Sequence, residues 1–595
     1  MNFFEHQHAA RSRSRKLYLL YFFAVAGVVL LVDAGFFFAT KGHLKPEHLT
    51  YIALGTLIII FIGSLYRIAT LKQSPEYVAI SLGGRLLVPS SAEANERRLL
   101  NIVEEMALAS GIPIPEVYLL DHEEGINAFA TGFDVHHAVI GVTRGALEKL
   151  SRDELQGVIG HEFSHILNSD MTINLRLMGL AYGLLCIAML GRTILRATTR
   201  NSGRRSKDSS GPALFGLILL LAGSIGVFAA NLIKAAICRQ REFLADASAV
   251  QFTRNPLGIS GALRRIGESF KHAYIENSKA EEASHFFFAD ALGTSFLQLM
   301  ASHPPLDSRI SRIEGVSLER IQSEAADQAQ GVDSLTSMSF AGSLNQSQVS
   351  RAREALDKPP VTLKDAARSP NYAPALVAGL FASSHADVLT RQEHLVASSK
   401  KFPEYDQAIW SQMQVLSIED KFSLFTLALP ALRRLTPERQ QDLLATYRTL
   451  AEADDEVTLA EYAFLSTLES VFSRNPFSQA ADAGLAIQEA ASTIISAVCV
   501  VGTDNPEHAK QAFLLGAGLF SAAKLSFIER AGLTRDHVQT AIDQIRNASD
   551  DIKAQSCAAM IRAAAWDGQL HEKERNLIRI VGQSIGVPLP PIFAA

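Results

Sequence analysis

Two histidines and a glutamate stand at a spacing that suits a metal ion and a hydrolytic reaction. In the segment His161-Glu162-Phe163-Ser164-His165 the histidines are four residues apart, and residues four apart share one face of an α-helix. His161 and His165 can therefore present two imidazole nitrogens to one zinc ion. Glu162 lies about 100° further around the axis, close enough to take a proton from a water molecule at the metal.

The residues before this segment predict the helix that positions it. Ser151 followed by Glu154 has the spacing of a capping box at a helix start. Apolar residues then recur at helical intervals, which predicts a buried helix; they are Leu155, Val158, Ile159, Phe163, Ile166 and Leu167. The alternative is a helix with two ordinary histidines, so the zinc hypothesis needs a third ligand elsewhere in the chain.

The best candidate for that ligand is Glu242. A catalytic zinc ion takes three protein ligands and keeps its fourth position open to water. We expect Glu242 to stand at the start of a helix, with Asp246 one turn further on the same face. Asp246 can then accept a hydrogen bond from the outer nitrogen of a ligand histidine. The alternative is an ordinary acidic pair balanced by Arg239 and Arg241.

Short strands are expected between the N-terminal region and the histidine helix. Residues 117–120 and 138–142 are apolar and β-branched enough to form two strands. Residues 125–132, which lie between them, suit either a plain connecting hairpin or an exposed sheet edge beside the active helix. Such an edge can pair with the extended backbone of a substrate. His136 and His137 are expected at the surface, because neighbours on a strand point to opposite faces.

Composition sets the limits of the interpretation. A chain of 595 residues predicts two or three domains. The net charge of −5 and a pI near 6.4 indicate no basic domain, so nucleic acid is not expected as a partner. The four cysteines are scattered and form no Cys-x-x-Cys pair, which excludes a cysteine-rich zinc ribbon. Histidines and carboxylates must therefore hold any metal.

The N-terminal 72 residues predict a membrane anchor with two helices. An apolar run extends from residue 17 to 40 with one acidic residue, and a second runs from about 49 to 65. The first run is longer than a signal-peptide core and has no convincing cleavage site, so we expect it to be retained. Basic residues precede the first span and follow the second, which places both ends in the cytoplasm.

Two further apolar stretches, at about 177–195 and 213–233, interrupt the predicted catalytic domain. A strongly basic segment, 192–207, separates them and conflicts with the positive-inside rule if both stretches cross the membrane. Either the first pair of spans fixes the orientation and this loop is tolerated, or the second pair enters the bilayer without crossing it. In both cases the chain returns to the membrane face that it left. A zinc site that combines Glu242 with His161 and His165 requires this.

Particular residues exclude two classes of protease. A metzincin needs Gly and His where this chain has Asn168 and Met171. An ATP-driven membrane protease needs a Gly-Lys-Ser/Thr phosphate loop, and the sequence contains no Gly-Lys pair. Any proteolysis is therefore expected to be independent of ATP.

The C-terminal half has a different character. Residues 320–372 are rich in Ser, Gln, Ala and Asp and are expected to form a linker with little packed structure. Residues 373–595 predict an all-α domain that regulates the enzyme or binds a partner. Two acidic turns, at 453–461 and 565–574, resemble the helical repeats of TerB-like domains. They can hold a cation, but helix capping by Asp explains them more simply.

Four motifs in order resemble the HtpX family of membrane zinc metalloproteases, relatives of the CAAX prenyl endopeptidases. The likeness covers about residues 15–315. The motifs are the Asn127-Ala-Phe-Ala-Thr-Gly132 segment, the 161–165 segment with Asn168 and Asp170, the Arg241-Glu-Phe-Leu-Ala-Asp246 segment, and Ser302-His-Pro-Pro-Leu-Asp-Ser-Arg-Ile310.

This resemblance implies roles for particular residues. The zinc ligands of the family correspond to His161, His165 and Glu242, and its catalytic base corresponds to Glu162. His303 belongs to the fourth motif, where a histidine or arginine can stabilise the oxyanion of the transition state. The alternative for His303 is a purely structural helix start set by the two prolines after it.

The resemblance also implies one catalytic Zn²⁺ and an ATP-independent endopeptidase in membrane-protein quality control. Its substrates would be membrane or misfolded polypeptides, and a further protein can bind the C-terminal domain. We expect it in a bacterial inner membrane, with the catalytic and C-terminal domains cytoplasmic. The alternatives are a protease that processes prenylated proteins, and a membrane scaffold whose catalytic site has lapsed.

The expected fold is a mainly α membrane protein. Its catalytic domain is of the zincin type, with the His-Glu-x-x-His helix beside a small β-sheet and about four membrane-embedded helices. The expected division is an anchor at 1–72, a protease domain at 73–319, a linker at 320–372 and a helical domain at 373–595.

Overall fold

The protein is mainly α-helical with one small sheet and four apolar helices, which confirms the expected fold class. We analysed a computed structural model of the chain. It describes residues 3–40, 43, 45–73, 76–132, 134–168, 170–201, 210–253, 255–268, 275, 287–289, 303–315, 353, 356–454, 457–472, 484–520, 525–568 and 570–587. Most of the predicted linker, residues 320–352, lies outside this range.

The elements of the N-terminal half alternate between membrane helices and a compact α+β region. In chain order they are α1 (Phe3–Ala39), α2 (Pro46–Gln73), α3 (Tyr77–Ser81), β1 (Arg85–Leu86), α4 (Ala94–Ser110), β2 (Glu116–Leu120), β3 (Ala128–Thr131), β4 (Val139–Thr143), α5 (Arg144–Lys149), α6 (Arg152–Leu167), α7 (Asp170–Asn201), α8 (Ser210–Thr253), α9 (Pro256–Gly267) and α10 (Leu306–Glu314).

Helices alone make up the C-terminal half within the described residues. They are α11 (Val361–Arg368), α12 (Ala373–Ala378), α13 (Ala386–Ser398), α14 (Gln407–Gln414), α15 (Ile418–Arg433), α16 (Pro437–Ala451), α17 (Leu459–Phe472), α18 (Gly484–Gly502), α19 (Pro506–Ala517), α20 (Arg535–Arg546), α21 (Asp550–Ala564) and α22 (Glu572–Ile585).

Four of these helices contain segments long and apolar enough to cross a membrane. The segments are Leu19–Ala39, Pro46–Thr70, Ile173–Thr198 and Pro212–Ile233. The last two contain 26 and 22 residues, or about 39 and 33 Å of helix, enough to cross a hydrocarbon core of about 30 Å. The protein is therefore an integral membrane protein.

Small residues let the membrane helices approach one another closely. A methyl group added to Gly183 of α7 would overlap the carbonyl oxygen of Ile60 on α2. Gly223 of α8 faces the backbone of Ala188 on α7 in the same way. The Tyr21 hydroxyl of α1 also donates a hydrogen bond of 2.6 Å to the carbonyl oxygen of Leu180. The two pairs of helices therefore form one bundle, because backbone contacts of this kind require small side chains.

The sheet has the strand order β1-β2-β4-β3. β2 and β4 are parallel, whereas β1 and β3 pair with their neighbours in antiparallel orientation. Residues 125–132 thus provide the edge strand β3, one of the two expected arrangements. The chain itself occupies the start of that edge: Phe129 pairs with Phe287, and the Phe288 N–H donates to the Ala128 carbonyl oxygen at 2.8 Å.

One hydrophobic core runs from the protease region into the C-terminal helices. Buried side chains of α4, α6 and β4 belong to the same cluster as those of α11, α15 and α17. A second cluster fills the space between α18, α20, α21 and α22. The first C-terminal helices therefore pack directly on the protease region.

The predicted linker is wrong at its C-terminal end, because residues 361–368 form α11. Leu363 and Ala367 of this helix are fully buried in the shared core. Arg368 holds Glu104 of α4 through two hydrogen bonds, and Arg353 holds the neighbouring Glu105 in the same way, at 3.1 Å for each bond. The helix was not predicted because its apolar face is only two turns long and the segment around it is rich in polar residues.

The two acidic turns are helix starts, as expected, but glutamate rather than aspartate makes the cap. Glu461 accepts from the backbone N–H of Thr458 at 2.7 Å, and Glu574 accepts from that of His571 at 2.9 Å. Each glutamate is buried at the third position of its helix. These contacts satisfy backbone donors that a helix start would otherwise leave free.

Candidate active site

Helix α6 carries the two histidines and begins as the sequence predicts. The Ser151 hydroxyl accepts a hydrogen bond from the Glu154 N–H, and the Glu154 carboxylate accepts one from the Ser151 N–H, so the capping box is present. His161 is fully buried and His165 nearly so. Their Nε2 atoms lie 3.1 Å apart. The helix therefore aims both nitrogens at one point.

Glu242 reaches the same point from α8. Its Oε1 lies 3.5 Å from Nε2 of His165, and its Oε2 lies 3.7 Å from Nε2 of His161. The expectation that a helix starts near Glu242 is wrong, because α8 runs unbroken from the membrane segment past this residue. Because the helix is continuous, it fixes the distance of the Glu242 carboxylate from the end of the membrane span at Ile233.

The distances between the three side chains suit a tetrahedral zinc ion. Ligand atoms about 2.0–2.1 Å from zinc in tetrahedral geometry are separated by about 3.4 Å. The two Nε2 atoms lie 3.1 Å apart, and each has a Glu242 oxygen near it, Oε1 at 3.5 Å from His165 and Oε2 at 3.7 Å from His161. One ligand atom from each of the three residues lies within 4.8 Å of the other two. Two imidazoles and one carboxylate are also the ligand set of several catalytic zinc sites. His161, His165 and Glu242 therefore fit this metal in number, type and spacing.

Carboxylates stand behind both histidines. Nδ1 of His161 lies 3.0 Å from Oδ1 of Asp246, and Nδ1 of His165 lies 2.9 Å from Oδ2 of Asp170. Such contacts hold the imidazole with Nε2 unprotonated toward the metal. Asp246 is where the sequence analysis places it. Asp170 also forms an ion pair with Arg241, a role that the sequence did not predict.

Arg309 closes the site behind Asp246. Its Nε and Nη2 donate to the two oxygens of Asp246 at 2.8 and 2.7 Å, and its Nη1 donates to the Phe288 carbonyl oxygen at 2.7 Å. The side chain is completely buried, and its charge lies 4.7 Å from the centre of the Phe288 ring. Burial alone would raise the pKa of Asp246, but the charge of Arg309 outweighs it and lowers that pKa.

The histidines differ in their preferred protonation state. Burial lowers the pKa of His161 to about 4, so this residue is neutral near pH 7 and ready to bind a cation. For His165 burial also acts to lower the pKa, but the contact with Glu242 outweighs it and raises the pKa. A proton therefore competes with a metal ion more strongly at His165 than at His161.

Glu162 is the buried carboxyl group beside the converging ligands. Burial raises its pKa to about 8, although the charges of His165 and Arg309 act in the opposite direction. A group that prefers the neutral state at pH 7 becomes a carboxylate when a cation arrives next to it. Glu162 is thus placed and tuned to exchange a proton at this site.

His303 contacts the ligand carboxylate. Its Nδ1 lies 2.9 Å from Oε2 of Glu242, and Nη1 of Arg309 lies 3.5 Å from the same oxygen. Burial alone would raise the pKa of Glu242, but His303 and His165 hold it well below its usual range. His303 therefore lies in the site, where its visible contact is with Glu242; a role at the oxyanion remains a prediction.

Two residues of the site, Arg309 and Phe288, were not predicted from the sequence, although Arg309 belongs to the fourth motif. The Phe288 ring packs edge-on against His161 with centroids 4.9 Å apart. No local signal marks Phe288, because its place depends on pairing with β3. Asn127 secures that pairing: its amide group donates to the Ala289 carbonyl oxygen at 3.1 Å and accepts from the Ala289 N–H at 3.2 Å.

Among the described residues, the group that could hold a metal consists of His161, His165 and Glu242, without His136 or His137. Their predicted surface position on a strand is wrong, because they lie half-buried in a 3-10 turn at Val135–His137. Asp134 accepts hydrogen bonds from the backbone N–H groups of both histidines at 2.8 and 2.9 Å. The C-terminal helices cover this turn, which the sequence pattern of a single strand does not reveal.

Comparison with known proteins agrees with this geometry. The sequence model of peptidase family M48 matches residues 93–317, which include α6, Glu242 and His303. Together with the four membrane segments and the converging ligand group, the match defines an integral-membrane metallopeptidase. The family match ends at residue 317, and the likeness of the C-terminal helices to TerB-like domains stays a prediction.

Several relatives narrow the class. A protease HtpX homolog from Ligilactobacillus salivarius is 32% identical over 308 residues, covering 52% of this chain and 98% of the relative. The HtpX homologs from Thermoanaerobacter pseudethanolicus and Streptococcus gordonii are 35% and 36% identical to this chain. The matches cover 51% and 52% of this chain, and 95% and 98% of these two relatives. The chain belongs to the HtpX family of proteases. No solved structure matches it.

Proposed function

We propose that this metallopeptidase is a zinc-dependent endopeptidase that acts on membrane or misfolded polypeptides beside the membrane. His161, His165 and Glu242 would hold the zinc ion, and Glu162 would serve as the catalytic base. The observation that carries the proposal is the convergence of two Nε2 atoms and one carboxylate within 3.7 Å, beside a buried glutamate. The described residues of the site provide no observation that favours prenylated substrates or a lapsed scaffold.

The chain's own residues account for the proton transfers of peptide hydrolysis. A zinc ion supplies Lewis-acid polarisation of the scissile carbonyl group and of the attacking water. Glu162 takes the proton of that water and passes it to the departing amine. Asp246 and Asp170 keep the two imidazoles oriented, and His303 does the same for Glu242.

The edge strand β3 is the proposed place for the substrate backbone. Main-chain pairing with a strand edge accepts many sequences, as expected of a protease with varied substrates. The Phe129–Phe287 pair already occupies the start of this edge. We therefore place the substrate along this strand, beside α6.

The proposed orientation puts the site on the cytoplasmic face of a bacterial inner membrane. α6 leads into the span that begins at Ile173, and Glu242 follows the span that ends at Ile233, so the ligands share one face. The absence of a phosphate loop in the sequence supports ATP-independent proteolysis, in keeping with a role in quality control.

Cysteine labelling tests this orientation. A cysteine introduced at Ser206 should react with a membrane-impermeant maleimide added to intact cells. A cysteine at the exposed Asp153 of α6 should react only after the membrane is opened. The reverse pattern would contradict the cytoplasmic site, and labelling of both positions only in opened membranes would contradict full crossing of the second pair.

The catalytic assignment is tested by metal content and proteolysis of purified variants. We expect Glu162→Gln to retain zinc and lose about 10²-fold or more of the activity on casein. His161→Ala, His165→Ala and Glu242→Ala should lose both zinc and activity, whereas the control Asp153→Asn on the same helix should lose neither. Normal casein hydrolysis by Glu162→Gln would defeat the assignment.

A further inference from the structure

A groove of about 520 Å³ lies among the C-terminal helices, far along the chain from the metal residues. Its floor is aliphatic and includes Leu459 at the start of α17, Ala497 and Val500 on α18, and Leu577 on α22. Its size is within the range of sites that enclose small ligands or the anchor side chains of a bound helix. The family match ends before this region begins.

Cations alone provide the charge on the described walls of the groove. They are Arg530, Arg535 and Lys573, and no carboxylate is among the described residues that line it. This is a local feature, because the chain as a whole carries a net charge of −5. Aliphatic surface rimmed by positive charge fits a partner that is apolar on one face and acidic around it.

Three acidic side chains near the groove are engaged elsewhere or offset one cation. Glu461 and Glu574 are buried and accept N–H hydrogen bonds at the starts of their own helices. Asp504 forms an ion pair of 2.9 Å with Arg530, which also donates to the Val500 carbonyl oxygen at 2.7 Å. Arg530 therefore shapes the wall, while Lys573, for which the described residues provide no ion pair, remains available to a partner.

We propose that this groove docks the apolar face of an acidic amphipathic helix from a polypeptide partner. Apolar side chains at positions i, i+3, i+4 and i+7 would fill the floor, and flanking Asp or Glu residues would meet Lys573 and Arg535. The half-exposed Val501 extends the apolar surface to the rim, with 39% of its surface open to solvent.

The groove is connected to the protease region by its own helices. α17 contributes Leu459 to the floor and also packs on the turn at Val135–His137, which joins the edge strand β3 to β4. α17 further shares the hydrophobic core of the protease region. A docked partner is thereby tethered to the protease, which raises its effective concentration near the site.

Direct binding tests the proposal without proteolysis. The probe is a fluorescein-labelled peptide of about 16 residues, with Leu at the four helical anchor positions and Glu between them. Full-length protein carrying Glu162→Gln is titrated in detergent and followed by fluorescence anisotropy. We expect saturable binding that weakens with added salt, because the rim charges are solvent-exposed. A peptide with Lys in place of Glu should bind at least about tenfold more weakly.

Two pairs of variants locate the binding. Lys573→Glu combined with Arg535→Gln should weaken binding about tenfold or more, and so should Val501→Asp. The matched controls are Lys510→Glu and Leu514→Asp on α19, which change exposed positions outside the groove and should stay within about twofold. Lys573→Glu is also measured alone, because the charge of Arg535 acts on Glu461 at the start of α17. Thermal unfolding confirms that each variant is folded.

Several results would overturn the proposal. These are the absence of binding at about 0.1 mM peptide, equal losses for Lys573→Glu and Lys510→Glu, and displacement of the peptide by millimolar inorganic phosphate. Equal competition by vesicles of anionic lipid would assign the groove to lipid instead of a helix. None of these outcomes depends on zinc or on proteolysis, so the proposed catalytic function stands or falls separately.

Discussion

Nδ1 of His161 lies 3.0 Å from Oδ1 of Asp246, on the side of the imidazole opposite the nitrogen that faces Glu242. Arg309 donates to both oxygens of the same carboxylate. The proposed zinc ligand is therefore oriented by a fully buried ion pair whose two members come from α8 and α10.

Asp246→Asn should lower zinc affinity about 10–100-fold, because the amide no longer supports the imidazole as a carboxylate does. The affinity is measured by competition with a chromophoric chelator. Asp153→Asn, which changes an exposed carboxylate of α6, is the control and should not alter it. Unchanged affinity in Asp246→Asn would show that the contact with His161 does not orient the ligand.

Zinc binding to the metal-free protein should release more protons from wild type than from Glu162→Gln. Burial raises the pKa of Glu162 to about 8 without metal, so this carboxyl is mostly protonated at pH 7. A bound cation favours its charged form and drives the proton off, which gives a difference of about one proton at pH 7.

Calorimetry in two buffers of different ionisation enthalpy measures this proton release. The difference between wild type and Glu162→Gln should shrink as the pH rises above about 8, because the carboxyl is then ionised before zinc arrives. Equal release by both proteins at pH 7 would contradict the raised pKa.

Arg368→Ala should destabilise the protein by about 2 kcal/mol, because it leaves the buried Glu104 without its partner. Thermal unfolding in detergent measures the change. Arg264→Ala breaks an exposed ion pair with Glu314 and should cost less than about 1 kcal/mol. Replacing Arg368 and Glu104 together by Leu should restore most of the stability, and a loss equal to that of Arg368→Ala would argue against the buried pair.

Gly183→Ala should lower the melting temperature of the membrane bundle, because the added methyl group would overlap the Ile60 carbonyl oxygen and the Ser64 side chain. Gly55→Ala is the matched control, since its methyl group would meet no atom within 4 Å. That control should be neutral or slightly stabilising, as alanine favours helices over glycine. Equal melting temperatures for the two variants would contradict the close packing of α2 and α7.

Local sequence was sufficient for the elements that carry their own signals. The capping box of Ser151 and the apolar spacing after it define α6, because both act within a few residues. The membrane segments follow from length and hydropathy in the same way. The ligand count of zinc pointed to Glu242, although the sequence could not show that a single unbroken helix carries it out of the membrane.

Contacts between segments that are distant in the chain could not be predicted from the sequence. Phe288 reaches His161 through its pairing with β3, and Arg309 reaches Asp246 across two helices. The short helix α11 has too small an apolar face to be recognised until α15 and α4 cover it.

The sequence by itself therefore determined the chemistry available to this protein, since spacing on one helix places two imidazoles and a carboxylic acid together at short range. The tertiary structure decided whether they form one centre, because Glu242 and Arg309 arrive only after the chain has twice run through the bundle of membrane helices. It also decided that the C-terminal helices pack on the protease region, because a shared core depends on faces that meet and not on the order of residues along the chain.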